Sequence, residues 1–229
     1  MGMDAASHEL GWSRQQALGR LETPERLRSH ENRQLWEMVG LDRGERVVDV
    51  GAGTGYFAFA AGRVVGRHGR VWAVDVSPEL IDLIGERRVR WRLPQVHPVL
   101  SRVERIPLAT GSADAVLMAN LLHGAPPSTL SESARLVRDG GRFVVVDWDK
   151  EGTGHGPPLR RRLSPAEASG RLATVGLTTV AHGRLGSDHY VLVATPTGSP
   201  VSAFLEESAG RRRGALGRGR ASDPFPTGN

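Results

Sequence analysis

Short apolar runs alternate with longer segments of helical character along most of the chain. Runs such as 71–74 and 114–119 are almost wholly apolar, which is typical of parallel strands buried on both faces. Strands that alternate with helices form a parallel sheet with helices packed on both of its faces. The pattern therefore predicts an α/β fold built on a doubly wound, mostly parallel sheet.

Seven strands are predicted from these runs. Five of them form the parallel part of the sheet and cover 46–50, 71–74, 96–100, 114–119 and 142–148. Pro94 and Pro98 make the third strand imperfect, because proline lacks the amide that a central strand donates. The last two strands, 177–184 and 189–194, are separated only by 185–188. So short a connection predicts an antiparallel hairpin.

Helices are predicted between the strands. They cover 21–40, 56–65, 77–89, 126–137 and 164–176. Thr23 is a plausible cap for the first, and Ser77 is followed by a proline at the first helical position. Ser164 and Glu167 have the spacing of a capping box. The 149–162 segment, rich in Gly, Pro and Arg, is predicted to be a loop.

The pattern also divides the chain into regions. Residues 1–20 are polar and mixed and are expected to be a flexible N-terminus, and 21–196 form the predicted domain. Residues 197–229 hold Gly, Ser, Pro and several arginines. Such a tail has too little apolar area to order itself, so it is predicted to be disordered. The alternative that its arginines attract RNA stays open.

One stretch, 47–57, carries the strongest chemical signal. A buried strand leads into Gly51, Gly53 and Gly55, and an alanine-rich helix follows, which is the opening of a nucleotide-binding unit. Glycine lets a ligand approach the backbone and lets the turn adopt positive φ. Ala52 and Tyr56 lie in the same turn and are expected to contact the ligand too. The spacing is G-x-G-x-G, and Tyr56 stands where a dinucleotide-binding motif has its last glycine.

Two acidic residues indicate which ligand the turn binds. Asp49 lies just before the first glycine, where a carboxylate would repel a pyrophosphate but hold an ammonium group, directly or through water. Asp75 ends the second strand, where a carboxylate can accept both ribose hydroxyls. Val76 follows it and is expected to lie against a base. An adenosine with a cationic amino-acid tail is S-adenosylmethionine, which is therefore the predicted cofactor.

Four blocks of sequence resemble the class I S-adenosylmethionine-dependent methyltransferases in order and spacing. They are VVDVGAGTGYFA (47–58), VWAVDVSPELI (71–81), ADAVLMANLLH (113–123) and RLVRDGGRFVVVDW (135–148). The resemblance is strongest to small bacterial enzymes of the quinone-biosynthesis and arsenite-methyltransferase type. It implies a Rossmann-like seven-stranded sheet with an antiparallel terminal hairpin. It also implies that a helix before the first strand closes over the cofactor, although a plain packing helix is an equal alternative.

The resemblance further implies that the segment connecting the third and fourth strands contacts the adenine. Family members usually carry an aspartate there, whereas this chain has Arg102 with Val103 beside it. Arginine has no acceptor for the hydrogens of the adenine amino group. Either the Val103 backbone contacts the base alone, or Arg102 stacks on the base or turns outward.

Polar residues at the ends of the fourth and fifth strands are the candidates for chemistry. Asn120 follows the fourth strand and is expected to bind the cofactor's methionine part or the acceptor. His123 is the candidate base, and Asp147 is the candidate for orienting a polar acceptor. His155 lies in the loop that is expected to cover the acceptor. For each of them a packing or solvated role is the alternative.

Composition narrows these possibilities. The 229 residues contain no cysteine, which excludes thiolate chemistry and disulfides and counts against arsenite methylation. The formal net charge is +5, and Lys150 is the only lysine among the 30 basic residues. No His/Asp spacing suggests a metal site. No apolar run approaches the ~18 residues of a membrane span, and no signal core is present, so a cytoplasmic protein is expected.

The predicted function is methyl transfer by in-line displacement to a small-molecule acceptor, by a protein that is a monomer or a homodimer. RNA remains a second possible acceptor. Two other functions stay open. One is a cofactor-binding protein without catalysis, and the other is an NAD(P)-binding oxidoreductase, which Asp49 and Tyr56 disfavour.

Overall fold

The computed structural model describes residues 13–22, 32–152 and 156–199. Within them the strands are β1 (Arg46–Val50), β2 (Arg70–Asp75), β3 (Val96–Leu100), β4 (Ala113–Ala119), β5 (Val137–Trp148), β6 (Leu177–Leu185) and β7 (His189–Pro196). The α-helices are α1 (Arg14–Leu21), α2 (Asn32–Met38), α3 (Tyr56–Val65), α4 (Pro78–Arg90), α5 (Pro127–Ala134) and α6 (Pro165–Ala173). A short 3₁₀ helix, Leu159–Arg161, lies in the predicted loop.

The seven strands form one sheet in the order β3-β2-β1-β4-β5-β7-β6. The pairs among β1 to β5 are parallel, and β7 is antiparallel to both β5 and β6. The strand order therefore changes direction between β1 and β4, and ligands bind at the carboxyl ends of the strands beside such a point. The predicted seven-stranded Rossmann-like sheet with its terminal hairpin is confirmed.

Each face of the sheet packs against its own set of helices. Val47 of β1 belongs to a buried cluster with residues of α2 and α3. Its neighbour Val48 belongs to a second cluster, which includes Leu130 of α5 and Leu172 of α6. Because side chains alternate along a strand, the two valines are buried on opposite faces. This double burial explains why the strands are apolar at nearly every position.

The helix predicted over 21–40 is described only in part, because 23–31 lie outside the described residues, and 32–38 are helical as predicted. Helix α1 ends at Leu21 and α2 begins at Asn32, while Thr23 and Pro24 lie outside the described residues. Residues 14–20, expected to be flexible, are helical instead. Ser13 caps α1 in a capping box with Gln16, and Ala17 is fully buried against α4. Residues 1–12 and 200–229 lie outside the described residues.

The remaining elements follow the predictions closely, except that α6 ends at Ala173 and not near 176, and that α5 and β5 differ as follows. Helix α5 ends at Ala134, three residues before the predicted end at position 137. Strand β5 begins at Val137, and the predicted turn at 139–141 is a register irregularity within it. Strand β3 has the predicted bounds and pairs only with β2, so Pro98 lies in an edge strand, where proline is tolerated.

The predicted caps at Ser77 and Ser164 are both present. Among the described residues, no helix is long and apolar enough to cross a membrane. Over the same ranges, no group of three or more His, Asp or Glu side chains is placed to hold a metal ion.

Candidate active site

A cavity of about 550 Å³ opens at the carboxyl ends of β1, β2 and β4. Its wall contains the turn after β1, Asp49, Asp75, the 101–104 segment and Asn120. The volume is in the range of pockets that bind cofactors and other small ligands. The cavity therefore lies at the point in the sheet where the strand order predicts ligand binding.

The glycine turn forms one side of this cavity. Gly51, Gly53 and Gly55 have φ values of 69°, 57° and 85°, which disfavour other residues. A Cβ on Gly51 would lie 2.8 Å from Leu121 Cδ2, and one on Gly53 would lie 2.8 Å from Leu21 Cδ1. The positive φ values therefore favour glycine at these positions, and at Gly51 and Gly53 a Cβ would also displace the end of a leucine side chain.

The predicted contacts in this turn divide into two groups. Gly51, Ala52, Gly53 and Tyr56 lie on the cavity wall, where a ligand can reach them. Gly55 does not, because it caps α3 and lies beneath Phe59, with 2.7 Å between Phe59 Cε2 and a Cβ built on the glycine. In this structure Gly55 turns the chain into the helix.

Asp49 is almost completely buried beside the turn, with 2% of its surface exposed. The Ala58 amide donates a hydrogen bond to its carboxyl group, but Oδ2 has no hydrogen-bond partner. Burial raises its pKa to about 7, with a smaller contribution from the nearby Asp75. A buried acceptor that faces a cavity without a partner fits a cationic group of a ligand.

Asp75 is also buried, and its carboxylate holds the glycine turn in place. Its Oδ2 accepts from the Gly53 amide at 2.9 Å, and its Oδ1 accepts from the Ser77 amide at 3.0 Å. Burial raises the pKa of Asp75, and these backbone hydrogen bonds oppose the rise. Each carboxylate oxygen can accept more than one hydrogen bond, so Asp75 can still bind ribose hydroxyls from the cavity.

A tight turn at the opposite end of the cavity carries the residues predicted to contact the base. Arg102 and Arg105 exchange backbone hydrogen bonds of 3.1 Å in both directions, which places Val103 and Glu104 at the tip. The Thr129 hydroxyl donates to the Val103 carbonyl at 2.9 Å. Arg102 is exposed on the cavity wall, and Val76 also lines this end.

Asn120 lies on the cavity wall directly after β4. Its φ is 54°, a left-handed conformation that asparagine tolerates better than most residues. Its amide donates to the Val146 carbonyl of β5 at 2.7 Å, so the end of β4 stays fixed to the sheet.

His123 and Asp147, which were predicted separately as a base and as a residue that orients the acceptor, lie in contact with each other. Asp147 Oδ1 lies 2.8 Å from His123 Nδ1, and Asp147 Oδ2 accepts from the His123 amide at 2.9 Å. Only 14% of the histidine side chain and 1% of the aspartate side chain are exposed. Neither residue belongs to the cavity wall, whereas Leu121 and Gly124 on either side of the histidine do.

Several residues that shape the site were not among the predicted site residues. Arg171 of α6 donates to the carbonyls of Leu122 (2.6 Å) and Ala125 (2.5 Å), which holds the loop that carries His123. Leu21 of α1 forms part of the cavity wall. Both residues lie far in sequence from the segments they contact, so no local pattern indicates these roles. His155 lies outside the described residues.

A model of the methyltransferase domain family matches residues 48–145. The chain is 42% identical over 105 residues to an uncharacterized methyltransferase of Mycobacterium tuberculosis, which covers 45% of this chain and 40% of that protein. It is 33% identical over 128 residues to the demethylmenaquinone methyltransferase of Tropheryma whipplei, covering 52% of this chain and 48% of that protein. The chain thus spans less than half the length of both relatives.

The fold is also that of a solved S-adenosylmethionine-dependent methyltransferase from Aquifex aeolicus. The two structures have a TM-score of 0.75 and 25% sequence identity, and the match covers 86% of this chain and all of the other. The buried Oδ2 of Asp49 and the carboxylate of Asp75 fit the amino-acid and ribose parts of the cofactor that such enzymes use. Residues 48–145 therefore form a methyltransferase domain, and the chain has the fold of a class I S-adenosylmethionine-dependent methyltransferase.

Proposed function

We propose that this protein transfers a methyl group from S-adenosylmethionine to a small-molecule acceptor. The observation that carries the proposal is the cavity between Asp49 and Asp75, where a buried carboxyl oxygen has no partner within the protein. A ligand with an ammonium group at one end and a ribose in the middle satisfies both acids. A dinucleotide would place its pyrophosphate beside Asp49, where two like charges would repel.

When bound, the cofactor supplies an electrophilic methyl group on a sulfonium. Transfer of this group disperses charge, so the protein contributes mainly alignment and the exclusion of water. The glycine turn, Asp49 and Asp75 orient the cofactor in this proposal. The apolar side chains of Leu21, Phe57 and Leu121 on the cavity wall exclude water.

His123 is the proposed base for acceptors that must lose a proton. Asp147 contacts Nδ1 of the ring, and a carboxylate there favours the tautomer that carries its hydrogen on Nδ1. That arrangement leaves Nε2 as the nitrogen that can accept a proton. Because the loop on either side of His123 lines the cavity, an acceptor bound against this loop lies next to the pair.

The size of the cavity and one relative support a small acceptor. The cavity is of the size that encloses a cofactor and a compact second ligand, and it is partly lined by apolar residues. The relative from Tropheryma whipplei is named for demethylmenaquinone, a small molecule. Aromatic hydroxyl and ring-carbon acceptors are accordingly the first classes to test.

The test begins with binding. Calorimetric titration of the full chain with S-adenosylmethionine and with S-adenosylhomocysteine is expected to give one site per chain for each. Transfer of a labelled methyl group is then measured on a panel of quinols, phenols and nitrogen heterocycles, with RNA included as a separate acceptor. Absence of binding by both ligands overturns the proposal. Binding without transfer to any acceptor supports instead a cofactor-binding protein that does not catalyse.

A further inference from the structure

Helix α1 forms a wall of the cofactor cavity although it lies outside the matched domain, which begins at residue 48. Its last residue, Leu21, lies so close to Gly53 that a Cβ on the glycine would come within 2.8 Å of Leu21 Cδ1. The helix is held on α4 by a small apolar cluster of Ala17, Leu80 and Leu83. The position of the end of α1 therefore determines the shape of the cavity beside the glycine turn.

Arg87 of α4 connects this end of α1 to the turn. One of its guanidinium nitrogens contacts Glu22 Oε1, and the other donates to Glu22 Oε2 at 3.0 Å. The first nitrogen also donates to the Thr54 carbonyl, inside the glycine turn, at 2.9 Å. The same guanidinium lies over the Trp91 ring, 5.3 Å from its centroid. Arg87 thus contacts the residue after α1, the turn and its own helix at once.

Burial distinguishes this pair from a second ion pair between the same two helices. The side chains of Arg87 and Glu22 are 14% and 18% exposed, whereas those of Arg14 and Glu86 are 45% and 58% exposed. Screening by water makes an exposed pair contribute little, and a partly buried bidentate pair is screened less. The Arg14–Glu86 pair lies at the other end of α1 and makes no contact with the turn.

We propose that Arg87 is a positioning residue for cofactor binding, and that it acts by fixing both the glycine turn and the helix that covers it. Its hydrogen bond to Thr54 fixes the peptide next to Gly53 and Gly55. Its pairing with Glu22 keeps Leu21 against that peptide. This inference rests on the proposed function, because it assigns the cavity to the adenosyl cofactor.

The test measures the affinity of the full chain for S-adenosylhomocysteine by calorimetry. Arg87→Ala removes a charge-assisted hydrogen bond to the turn, and its dissociation constant is expected to rise about tenfold. Glu22→Ala leaves the bond to Thr54 and is expected to give a smaller rise. Arg87→Lys provides one donor in place of a fork, so it is expected to fall between wild type and Arg87→Ala. Arg14→Ala is the matched control and is expected to stay within about twofold.

Two further comparisons decide the outcome. A merely structural role would lower the thermal midpoint of Arg87→Ala without changing the dissociation constant measured well below that midpoint. Equal affinities for Arg87→Ala and wild type, or equal losses for Arg87→Ala and Arg14→Ala, overturn the inference. If Arg87→Ala does not fold, Arg87→Lys and Glu22→Ala give the answer by the same criterion. If the wild-type protein does not bind S-adenosylhomocysteine, the result contradicts the proposed function itself. The comparison of variants then gives no information about Arg87.

Discussion

Asp49 is a carboxyl group buried in the cavity wall, and its pKa is raised by burial and, to a smaller extent, by the nearby carboxyl group of Asp75. At a pKa of about 7 it is largely protonated below neutral pH and ionised above it. A ligand ammonium group interacts favourably only with the ionised form. Binding of a cationic cofactor should therefore lower the pKa of Asp49 and release a proton.

The first prediction concerns pH. Affinity for S-adenosylhomocysteine is expected to increase as the pH rises from 5.5 to 7.5, by up to about tenfold per unit below the pKa of Asp49, because the ionised form binds. Calorimetry in buffers of different ionisation enthalpy should detect the released proton. Asp49→Asn is expected to bind more weakly at pH 7.5 and to lose this dependence. A wild-type affinity that is flat with pH would contradict the assignment.

Arg102 stands where the family resemblance expects an aspartate, and it is exposed on the cavity wall. Arg102→Asp is expected to strengthen S-adenosylhomocysteine binding several-fold, since a carboxylate can accept hydrogens from the adenine amino group. Arg102→Asp both removes a positive charge and adds a hydrogen-bond acceptor. Arg102→Ala only removes the charge, so the comparison of the two variants isolates the effect of the acceptor. The gain should vanish for an analogue whose amino group is dimethylated. A gain that persists with that analogue would mean that the base does not lie at this turn.

The pair of His123 and Asp147 leads to a kinetic prediction. With an acceptor that must be deprotonated, His123→Ala is expected to lower kcat by about 10²- to 10⁴-fold, the usual contribution of general base catalysis. Asp147→Asn is also expected to lower it, because it loses the charge and replaces one of two acceptor oxygens with a donor group that faces an N–H. Affinity for S-adenosylhomocysteine should remain that of wild type in both variants, since neither residue lines the cavity. Full activity of His123→Ala on such an acceptor would exclude the histidine as base.

At the scale of the element, the glycine turn can be tested against a helix glycine nearby. Gly53 has φ of 57° and lies against Leu21, so Gly53→Ala is expected to destabilise the fold by more than about 1 kcal/mol and to weaken cofactor binding. Gly85 lies within α4, and a Cβ there meets nothing within 4 Å. Gly85→Ala should stabilise by about 0.5–1 kcal/mol and leave binding unchanged. Urea denaturation and calorimetry measure both effects.

The elements that sequence patterns predicted best are those with strong local signals. Strands β1 and β3 have the predicted bounds, and Ser77 and Ser164 cap their helices as expected. Residues 14–20 were expected to be flexible, because their polar and mixed composition gives little indication of a helix that packs against another segment. The bounds of α1 depend on burial against α4, a contact between segments more than 60 residues apart in the sequence.

The same distinction applies to the site. The position of Asp49 and Asp75 at the cavity was predictable, because each lies at a fixed position relative to a strand end and the glycine turn. The pairing of His123 with Asp147 follows from neighbouring parallel strands, whose carboxyl ends meet at one edge. Arg87 and Arg171 were not predictable, since each acts through backbone carbonyls that only the folded chain brings within reach.

At the scale of the whole molecule, the edge of the sheet formed by the carboxyl ends of the strands differs in role from the edge formed by their amino ends. The carboxyl edge carries the cavity and the His123–Asp147 pair. Near the amino edge, Arg142 at the start of the regular part of β5 donates to Glu45 Oε2 at 2.6 Å and to the Gly40 carbonyl at 3.0 Å. Its side chain is only 7% exposed. This arginine therefore joins the segment between α2 and β1 to the central sheet without contacting the cavity.

The last prediction separates stability from binding across these two edges. Arg142→Ala leaves Glu45 and the Gly40 carbonyl without their buried partner, and it is expected to lower the free energy of unfolding by about 3 kcal/mol. Arg46→Ala, which removes a half-exposed partner of Asp114 at the same edge, should cost less than about 1 kcal/mol. Both variants should keep the wild-type affinity for S-adenosylhomocysteine at temperatures where they are folded. A weakened affinity in Arg142→Ala alone would show that the amino edge also positions the cofactor cavity. In that case a shift at the amino ends of the strands would displace their carboxyl ends, where the cavity lies.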